Sequence, residues 1–385
     1  MAQSPARSFV SPTNDLNLMQ SPEWRRAFRR RLLAWYRRNA RVLPWRGTRD
    51  AYQVWVSEVM LQQTLVATVS AYFPRFVARF PTIESLAAAP EIEVLKLWEG
   101  LGYYRRARQL HAAAKVIRDE HGGVFPRQIA AARSLPGVGR YTAGAVLSIA
   151  HDDPHPILEA NTIRLLARLL AFAGDVRSAA GQELLWAAAE SLLSKSDTGE
   201  FNQALMELGS QICAPRAPLC DSCPVASLCP TRANGLTATI PAPQVRPQVT
   251  QLHEAALLAR RGRRVLLVLR NAGERWAGLW DFPRYGIEST KETVAAELAE
   301  HILRDTGVEA TVGKKLTTLK HTVTRYRITL DCYEAKFVRQ AKNHSGGRHM
   351  AWVDPRELHD YPLNTTARKL SHLFTGKSAG GRLES

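Results

Sequence analysis

The chain has 385 residues, with 52 Lys and Arg against 35 Asp and Glu, a formal net charge of +17 and a pI near 10.0. This length predicts more than one domain, the 45% apolar content suffices for sizeable cores, and the cationic excess points to a polyanionic partner, nucleic acid first. No apolar run approaches a membrane span, and residues 1–21, rich in Ser, Pro, Arg and Asn, read as a disordered leader without the apolar core of a secretory signal.

Ser21-Pro22 opens a predicted helix over 22–40, with an apolar stripe of Trp24, Phe28, Leu32 and Trp35 and arginines on the other faces. A loop at Leu43–Arg46 precedes a second helix over Tyr52–Thr64. Its apolar residues Val54, Trp55, Val59, Leu61 and Leu65 bury most of its surface, and one acid, Glu58, stands among them. An acid in that setting is either a paired structural charge or a functional group with a raised pKa. In Leu97–Leu110, Gly100 and Gly102 break a helix ahead of two tyrosines and three arginines. That mixture suits a nucleic-acid strand or, equally, a packed pair of rings with a basic outer face.

Leu135–Gly139 reads Leu-Pro-Gly-Val-Gly between two helices. Pro136 stops the first, Gly137 and Gly139 permit positive φ and close approach of a foreign backbone, and a helix from about Arg140 buries Ala143, Val146, Leu147 and Ala150. Such a turn is either plain helix punctuation or a phosphate grip at a helix N-terminus. Glu159 and Asn161 then precede an amphipathic helix over about Thr162–Ala171, and Phe201–Gly209 forms a helix leading into four cysteines. Cys213, Cys220, Cys223 and Cys229 are spaced C-x6-C-x2-C-x5-C, which in a reducing compartment suits zinc or an iron–sulfur cluster. Residues 232–250 are a Pro, Thr, Ala and Gln linker. Strands follow at His253–Ala259, Arg264–Arg270 and Trp276–Pro283, a helix at about Lys291–Arg304, and strands near Thr311–Lys320, Arg325–Ala335 and Ala351–Val353. Cys332 is expected as a buried strand residue, and 372–385 as a disordered tail.

Helix, glycine hairpin, helix and downstream carboxylate resemble the helix-hairpin-helix superfamily of DNA base-excision glycosylases. The agreement is narrower than that. Ser57–Thr64 (SEVMLQQT), Gly100–Tyr104 (GLGYY), the LPGVGRYTAGA run and the cysteine loop resemble the adenine-specific MutY family, with 22–231 similar to its catalytic domain and 251–371 to its C-terminal domain. The fold implied is an all-α helix-hairpin-helix glycosylase domain with a 4Fe–4S loop, followed by an α+β Nudix-like domain. The resemblance makes Glu58 the acid that protonates adenine N7, and places Tyr141 and Asn161 around the sugar. It gives Trp45, Arg46 and Gln203 to the adenine pocket, Gln63 and Tyr103 to a wedge beside the flipped base, Gly137 and Gly139 to the DNA backbone, and all four cysteines to a 4Fe–4S cluster. Tyr141 stands where strand-cleaving relatives such as endonuclease III carry an imine-forming lysine, so strand cleavage by that route is disfavoured.

The chemistry holds apart from the resemblance. A purine anion leaves poorly, so a buried acid must protonate it, and the oxocarbenium-like sugar needs a carboxylate on its other face. In three places the sequence departs from the family. The second carboxylate, usually aspartate, is Glu159. The Nudix spacing from Gly286 through Glu292 to Gly307 survives, but Glu300-His301 and Arg304-Asp305 replace the acid pairs that would bind Mg. The loop that reads 8-oxoguanine is Val323-Thr324-Arg325, in which Thr324 and Arg325 keep hydrogen-bond donors. The resemblance therefore implies a monofunctional adenine glycosylase acting on double-stranded DNA with adenine opposite 8-oxoguanine or guanine, monomeric and cytoplasmic at the nucleoid, with no membrane partner. A bifunctional lyase, a non-cleaving lesion binder and a Nudix hydrolase are the competing readings.

Overall fold

The computed structural model describes residues 21–194, 196–243, 248–288, 293–341 and 348–375; the leader 1–20, Glu292 and the tail from 376 lie outside them. Helix α1 (Pro22–Asn39) starts as its sequence requires, the Ser21 hydroxyl accepting the Trp24 N–H at 3.4 Å, and buries Phe28, Leu32 and Trp35. Helix α2 (Ala51–Leu61) is capped by Asp50, whose carboxylate accepts the Tyr52 N–H at 2.9 Å. It ends three residues before the expected Thr64, because Gln63 takes a left-handed φ of 57°, and Leu65, expected in the core, is exposed.

Next in order are α3 (Val66–Arg79), α4 (Ile83–Ala88), α5 (Glu91–Leu97), α6 (Arg105–Glu120) and α7 (Ile129–Ser134). After the glycine hairpin come α8 (Arg140–His151), α9 (Ala160–Leu169), α10 (Ala179–Leu192), α11 (Thr198–Gln211) and α12 (Pro230–Ala233). Helix α8 is the centre of this set. It buries the expected stripe and packs against α2 and α11, while α11 also meets α1 and α9. At the C-terminus of α8 Asp152 adopts a left-handed conformation and receives the start of α11, accepting the Asp197 and Gly199 N–H groups at 3.0 and 2.9 Å. A core among α1, α9, α10 and α11 joins Phe28 and Leu32 to Leu166, Leu185, Phe201 and Leu208.

Among the described residues seven strands follow: β1 (Thr250–Arg261), β2 (Arg264–Leu269), β3 (Trp280–Asp281), β4 (Arg284–Gly286), β5 (Val308–Val323), β6 (Tyr326–Gln340) and β7 (Met350–Val353). Helix α13 (Val294–Thr306) lies before β5 and α14 (Thr365–Thr375) after β7. The sheet runs β3-β2-β1-β6-β5, with β4 on β1 and β7 on β2; only β1 and β6 pair in parallel. One face packs Ala256, Leu258, Leu330 and Cys332 against Leu363 and Leu370, and the other packs Ala255, Leu257 and Leu266 against Leu298 and Ile302 of α13. Cys332 is buried as expected, and burial pushes its thiol up to about 12. In this part of the chain β4, with three residues, and α14 were not among the expected elements. Strand β5 forms the edge. It is mostly exposed, carries Lys314, Lys315 and Lys320, and breaks register with β6 near both ends of Val312–Thr317.

The chain forms two compact units, Met1–Ala88 with Gln109–Val245, and Ala89–Arg108 with Arg246–Ser385. Helix α5 and the following loop thus group with the sheet-containing unit, a division that no single cut in the linker describes.

Candidate active site

Within the first unit a cavity of about 580 Å³ opens between α2, the glycine hairpin, α8, the start of α9 and α11. It is of a size that suits a nucleobase and its sugar. Ten of the residues expected at the site line it: Trp45, Arg46, Glu58, Gln63, Gly137, Gly139, Tyr141, Glu159, Asn161 and Gln203. Separate motifs along more than 150 residues therefore converge on one hollow.

Glu58 is 4% exposed on α2. Burial raises its carboxyl to about 7, against the hydrogen bond from Tyr141, whose hydroxyl donates to Glu58 Oε2 at 2.5 Å. Glu159 adds to the rise and Arg46 opposes it. The Tyr141 hydroxyl also lies 3.4 Å from Met206 Sδ, and burial holds the phenol neutral.

Glu159 is the N-cap of α9. Its Oε1 accepts the Thr162 N–H at 2.9 Å, and its Oε2 accepts the Asn161 N–H at 2.9 Å and Asn161 Nδ2 at 3.2 Å. The Thr162 hydroxyl returns a contact to the Glu159 N–H at 2.8 Å, closing a capping box. Burial raises this carboxyl too, opposed by the same backbone donors. The extra methylene of glutamate is thus taken up by the helix end, and the head group is fixed. Asn161 is itself oriented by Arg164, whose Nη2 donates to Asn161 Oδ1 at 2.9 Å and to the Gly209 carbonyl at 2.6 Å.

The opposite wall contains a residue the sequence reading passed over. Glu207 on α11 is fully buried and pairs with Arg41 at 2.7 Å and with Arg46. Burial would raise it, but the two arginines hold it down at about 2. Its only sequence signal was an acid inside the apolar run FNQALMELG. The pair fixes Arg46 under the Tyr36 ring, 5.4 Å away, while Tyr36 donates to Gln203 Oε1 at 3.0 Å.

In the hairpin Leu135 and Val138 are buried, and Gly137 and Gly139 face outward. Gly137 has φ 74° and a Cβ there would meet the Cβ of Gln109 at 2.7 Å. Gly139 does not use that freedom: as N-cap of α8 it sits at φ −91°, with open space around it, so only close approach from outside calls for a glycine.

The cysteines lie elsewhere in the first unit. All four are free thiols around a small cavity shared with Leu165, Ile212 and Val225. Burial pushes Cys223 up to about 11 and raises Cys229, and the neighbouring sulfurs add to both. Among the described residues no three Cys, His, Asp or Glu converge on a point for a single metal ion. The four cysteines lining one hollow match in number the thiolates that a 4Fe–4S cluster takes. Arg168 ties this loop to α9, donating to Cys213 Sγ at 3.3 Å and to the carbonyls of Ala214 and Ile240 at 2.9 Å.

The remaining expected residues belong to the second unit. Tyr103 follows Gly100 and Gly102, all three at positive φ, and its ring is half exposed. A non-glycine residue held there costs about 1–3 kcal/mol, so its surroundings must fix it. Thr324 and Arg325 are exposed at the β5–β6 turn, with the Arg325 guanidinium 5.2 Å over the Tyr326 ring. At the Nudix acid positions, Asp305 is held by Arg348 at 3.0 Å and His301 stacks on Tyr285. The described residues there form an ion-paired surface and no acid cluster.

Comparison with known proteins agrees with this layout. Residues 56–188 match the HhH-GPD superfamily of base excision DNA repair proteins, and residues 255–373 match the NUDIX domain. The adenine DNA glycosylase of Homo sapiens is 33% identical over 92% of this chain and 75% of its own length. That of Buchnera aphidicola subsp. Acyrthosiphon pisum is 35% identical over 67% of this chain and 74% of its own. A solved thermostable thymine-DNA glycosylase is 31% identical, with a TM-score of 0.51, over 55% of this chain and 98% of its own. By its identity to full-length relatives across both units, the chain belongs to the adenine DNA glycosylase family of the helix-hairpin-helix base-excision repair superfamily.

Proposed function

We propose that the chain hydrolyses the N-glycosidic bond of adenine opposite 8-oxoguanine or guanine in duplex DNA, as a monomeric, monofunctional glycosylase carrying a 4Fe–4S cluster. The observation that carries the reading is a pair of carboxyls, Glu58 and Glu159, placed in unlike surroundings on one nucleobase-sized cavity. Glu58, buried and raised to about 7, is protonated at neutral pH often enough to deliver its proton to adenine N7 as the bond breaks. Tyr141 holds that carboxyl in place through its hydroxyl. Glu159, fixed by two backbone N–H groups, faces the positive charge that develops on the sugar, and Asn161 is held beside it by Arg164. Arg46, pinned by Glu207, and Gln203 offer donors and acceptors to the base edge. The phenol of Tyr141 cannot form an imine, which takes away the lyase route and leaves hydrolysis.

Cys213, Cys220, Cys223 and Cys229 would hold the cluster. When bound it supplies a rigid cross-link of the loop that Arg168 fastens to α9, and no step of the hydrolysis runs through it. Thr324 and Arg325 are the donors offered to the base opposite adenine.

The test uses labelled duplexes with adenine opposite 8-oxoguanine, guanine, cytosine or thymine, analysed with and without alkali. Adenine release is expected with 8-oxoguanine first and guanine second, and strands break only after alkali. Arg325→Ala should narrow the preference for 8-oxoguanine over guanine. Strand cleavage without alkali, trapped by borohydride, overturns the monofunctional assignment; tight binding without release of adenine replaces it with a lesion sensor.

A further inference from the structure

The loop that presents Tyr103 is clamped from within the second unit. Glu99, at the foot of this loop, forms a two-pronged ion pair with Arg368 of α14, Nε to Oε1 at 2.6 Å and Nη2 to Oε2 at 2.8 Å. Both side chains are largely shielded, at 17% and 24% exposure. Arg368 also donates to the carbonyls of Leu358 and Tyr361, each at 2.8 Å, and the Leu363 N–H donates to Glu99 Oε2 at 3.3 Å. A second seam lies at Gly278. A Cβ there would stand 3.4 Å from Arg108 Nη1 and 3.7 Å from Leu95 Cδ1, so the turn holding Gly278 lies against α5 and the first turn of α6.

Between these anchors the loop has little freedom. The Trp98 indole donates to the Gly102 carbonyl at 3.2 Å, the Gly100 N–H donates to the Tyr104 hydroxyl at 3.2 Å, and Arg106 donates to the carbonyls of Leu101 and Gly102. The Arg106 guanidinium lies 5.4 Å from the Trp98 ring and 5.5 Å from that of Tyr103. Tyr103 is thus the exposed end of a strained turn whose base is fixed by Glu99.

We propose that Glu99 and Arg368 are positioning residues for adenine eversion, their ion pair setting the loop from which Tyr103 enters the duplex. This rests on the reading of Tyr103 as the wedge. The C-terminal unit then takes part in opening the base pair on the adenine side, beyond any contact it makes with the opposite base. A planar fork matched to a carboxylate fixes direction as well as distance, which a lysine or an exposed pair does not.

The test is stopped-flow fluorescence of the full-length protein mixed with a duplex holding 2-aminopurine beside the target adenine, which reports unstacking, together with single-turnover adenine release and thermal melting. Glu99→Gln and Arg368→Met are expected to slow the fluorescence rise roughly tenfold or more, as misplacement of a group by about 1 Å does. Affinity for undamaged duplex should hold. The charge-exchanged pair Glu99→Arg with Arg368→Glu should recover part of the rate. Lys96→Ala, which removes the exposed Lys96–Asp360 pair of the same region, should leave it unchanged, separating position from general stability. Should Glu99→Gln melt early, Arg368→Lys takes its place, keeping the charge and losing the fork. If Tyr103→Ala does not slow the rise, the wedge reading has failed. If Tyr103→Ala slows it and neither Glu99→Gln nor Arg368→Lys does, the positioning role alone is overturned.

Discussion

Glu58, the proposed acid, shows how a buried carboxyl is held against stability. Its carboxyl has a usual value of 4.5 and stands at about 7 in the fold, so between those values the native state binds more protons than the unfolded chain. Stability therefore falls as pH rises from about 4.5 to about 7 and stays reduced above it. Each tenfold change in proton affinity is about 1.4 kcal/mol, which makes the ionised carboxylate a burden of roughly 3 kcal/mol. Glu58→Gln should accordingly abolish adenine release yet melt higher than the native protein at pH 8 and nearly equal to it at pH 4. Equal melting at pH 8 would show that Glu58 is not held protonated. The native single-turnover rate should drop about tenfold per pH unit above 7, as protonated Glu58 is depleted. Glu159 tests differently, because it caps a helix as well as facing the cavity. Glu159→Asp keeps a capping carboxylate and should melt within about 1 kcal/mol of native while excising adenine more slowly; Glu159→Gln should lose nearly all excision with DNA binding intact. Excision by Glu159→Gln at the native rate would remove that carboxylate from the chemistry.

Among elements, the hairpin separates two uses of glycine. Gly137→Ala meets both a left-handed backbone and Gln109, and should cost roughly 2 kcal/mol and several degrees of melting temperature. Gly139→Ala should fold as well as native and bind duplex more weakly, seen by melting and anisotropy on one preparation. The sequence made these elements legible because each is local: a proline and two glycines between periodic helices, an acid inside an apolar helix, four cysteines within seventeen residues. What it hid depends on distance. Glu207 looked like any helical acid until Arg41 and Arg46, more than 160 residues away, gave it partners. Which of the two glycines uses its freedom of φ was also not legible, because the residue type permits positive φ without requiring it. The cysteine loop makes a further point at this scale. Because Arg168 binds the Cys213 sulfur and the carbonyls of the loop, chelation of the proposed cluster's iron should speed amide exchange over residues 160–169, the helix that Glu159 begins. Unchanged exchange there would confine the effect to the loop itself.

Across the whole molecule, charge and connectivity set the behaviour. An excess of 17 positive charges serves a polyanion, and for a footprint of roughly six phosphates the logarithm of affinity should fall with that of salt at a slope of about −5, measurable by anisotropy on undamaged duplex. A much shallower slope would mean that the basic residues lie mostly outside the contact. Connectivity was not legible in the sequence at all, since Glu99 and Arg368 stand 269 positions apart with no pattern to join them. A cut at residue 250 would remove the partner of Glu99 along with the sheet, so loss of activity in a truncated chain would not isolate the reading of the opposite base. The edge strand β5 carries a different consequence. Sixteen residues of open backbone invite a second sheet to add to it, which is how ordered aggregates start. Lys314, Lys315 and Lys320, with the broken register beside them, repel such a neighbour. Their neutralisation would leave the catalytic cavity untouched and give a protein that clumps as it is concentrated, so these three lysines guard the shelf life of the enzyme more than its chemistry.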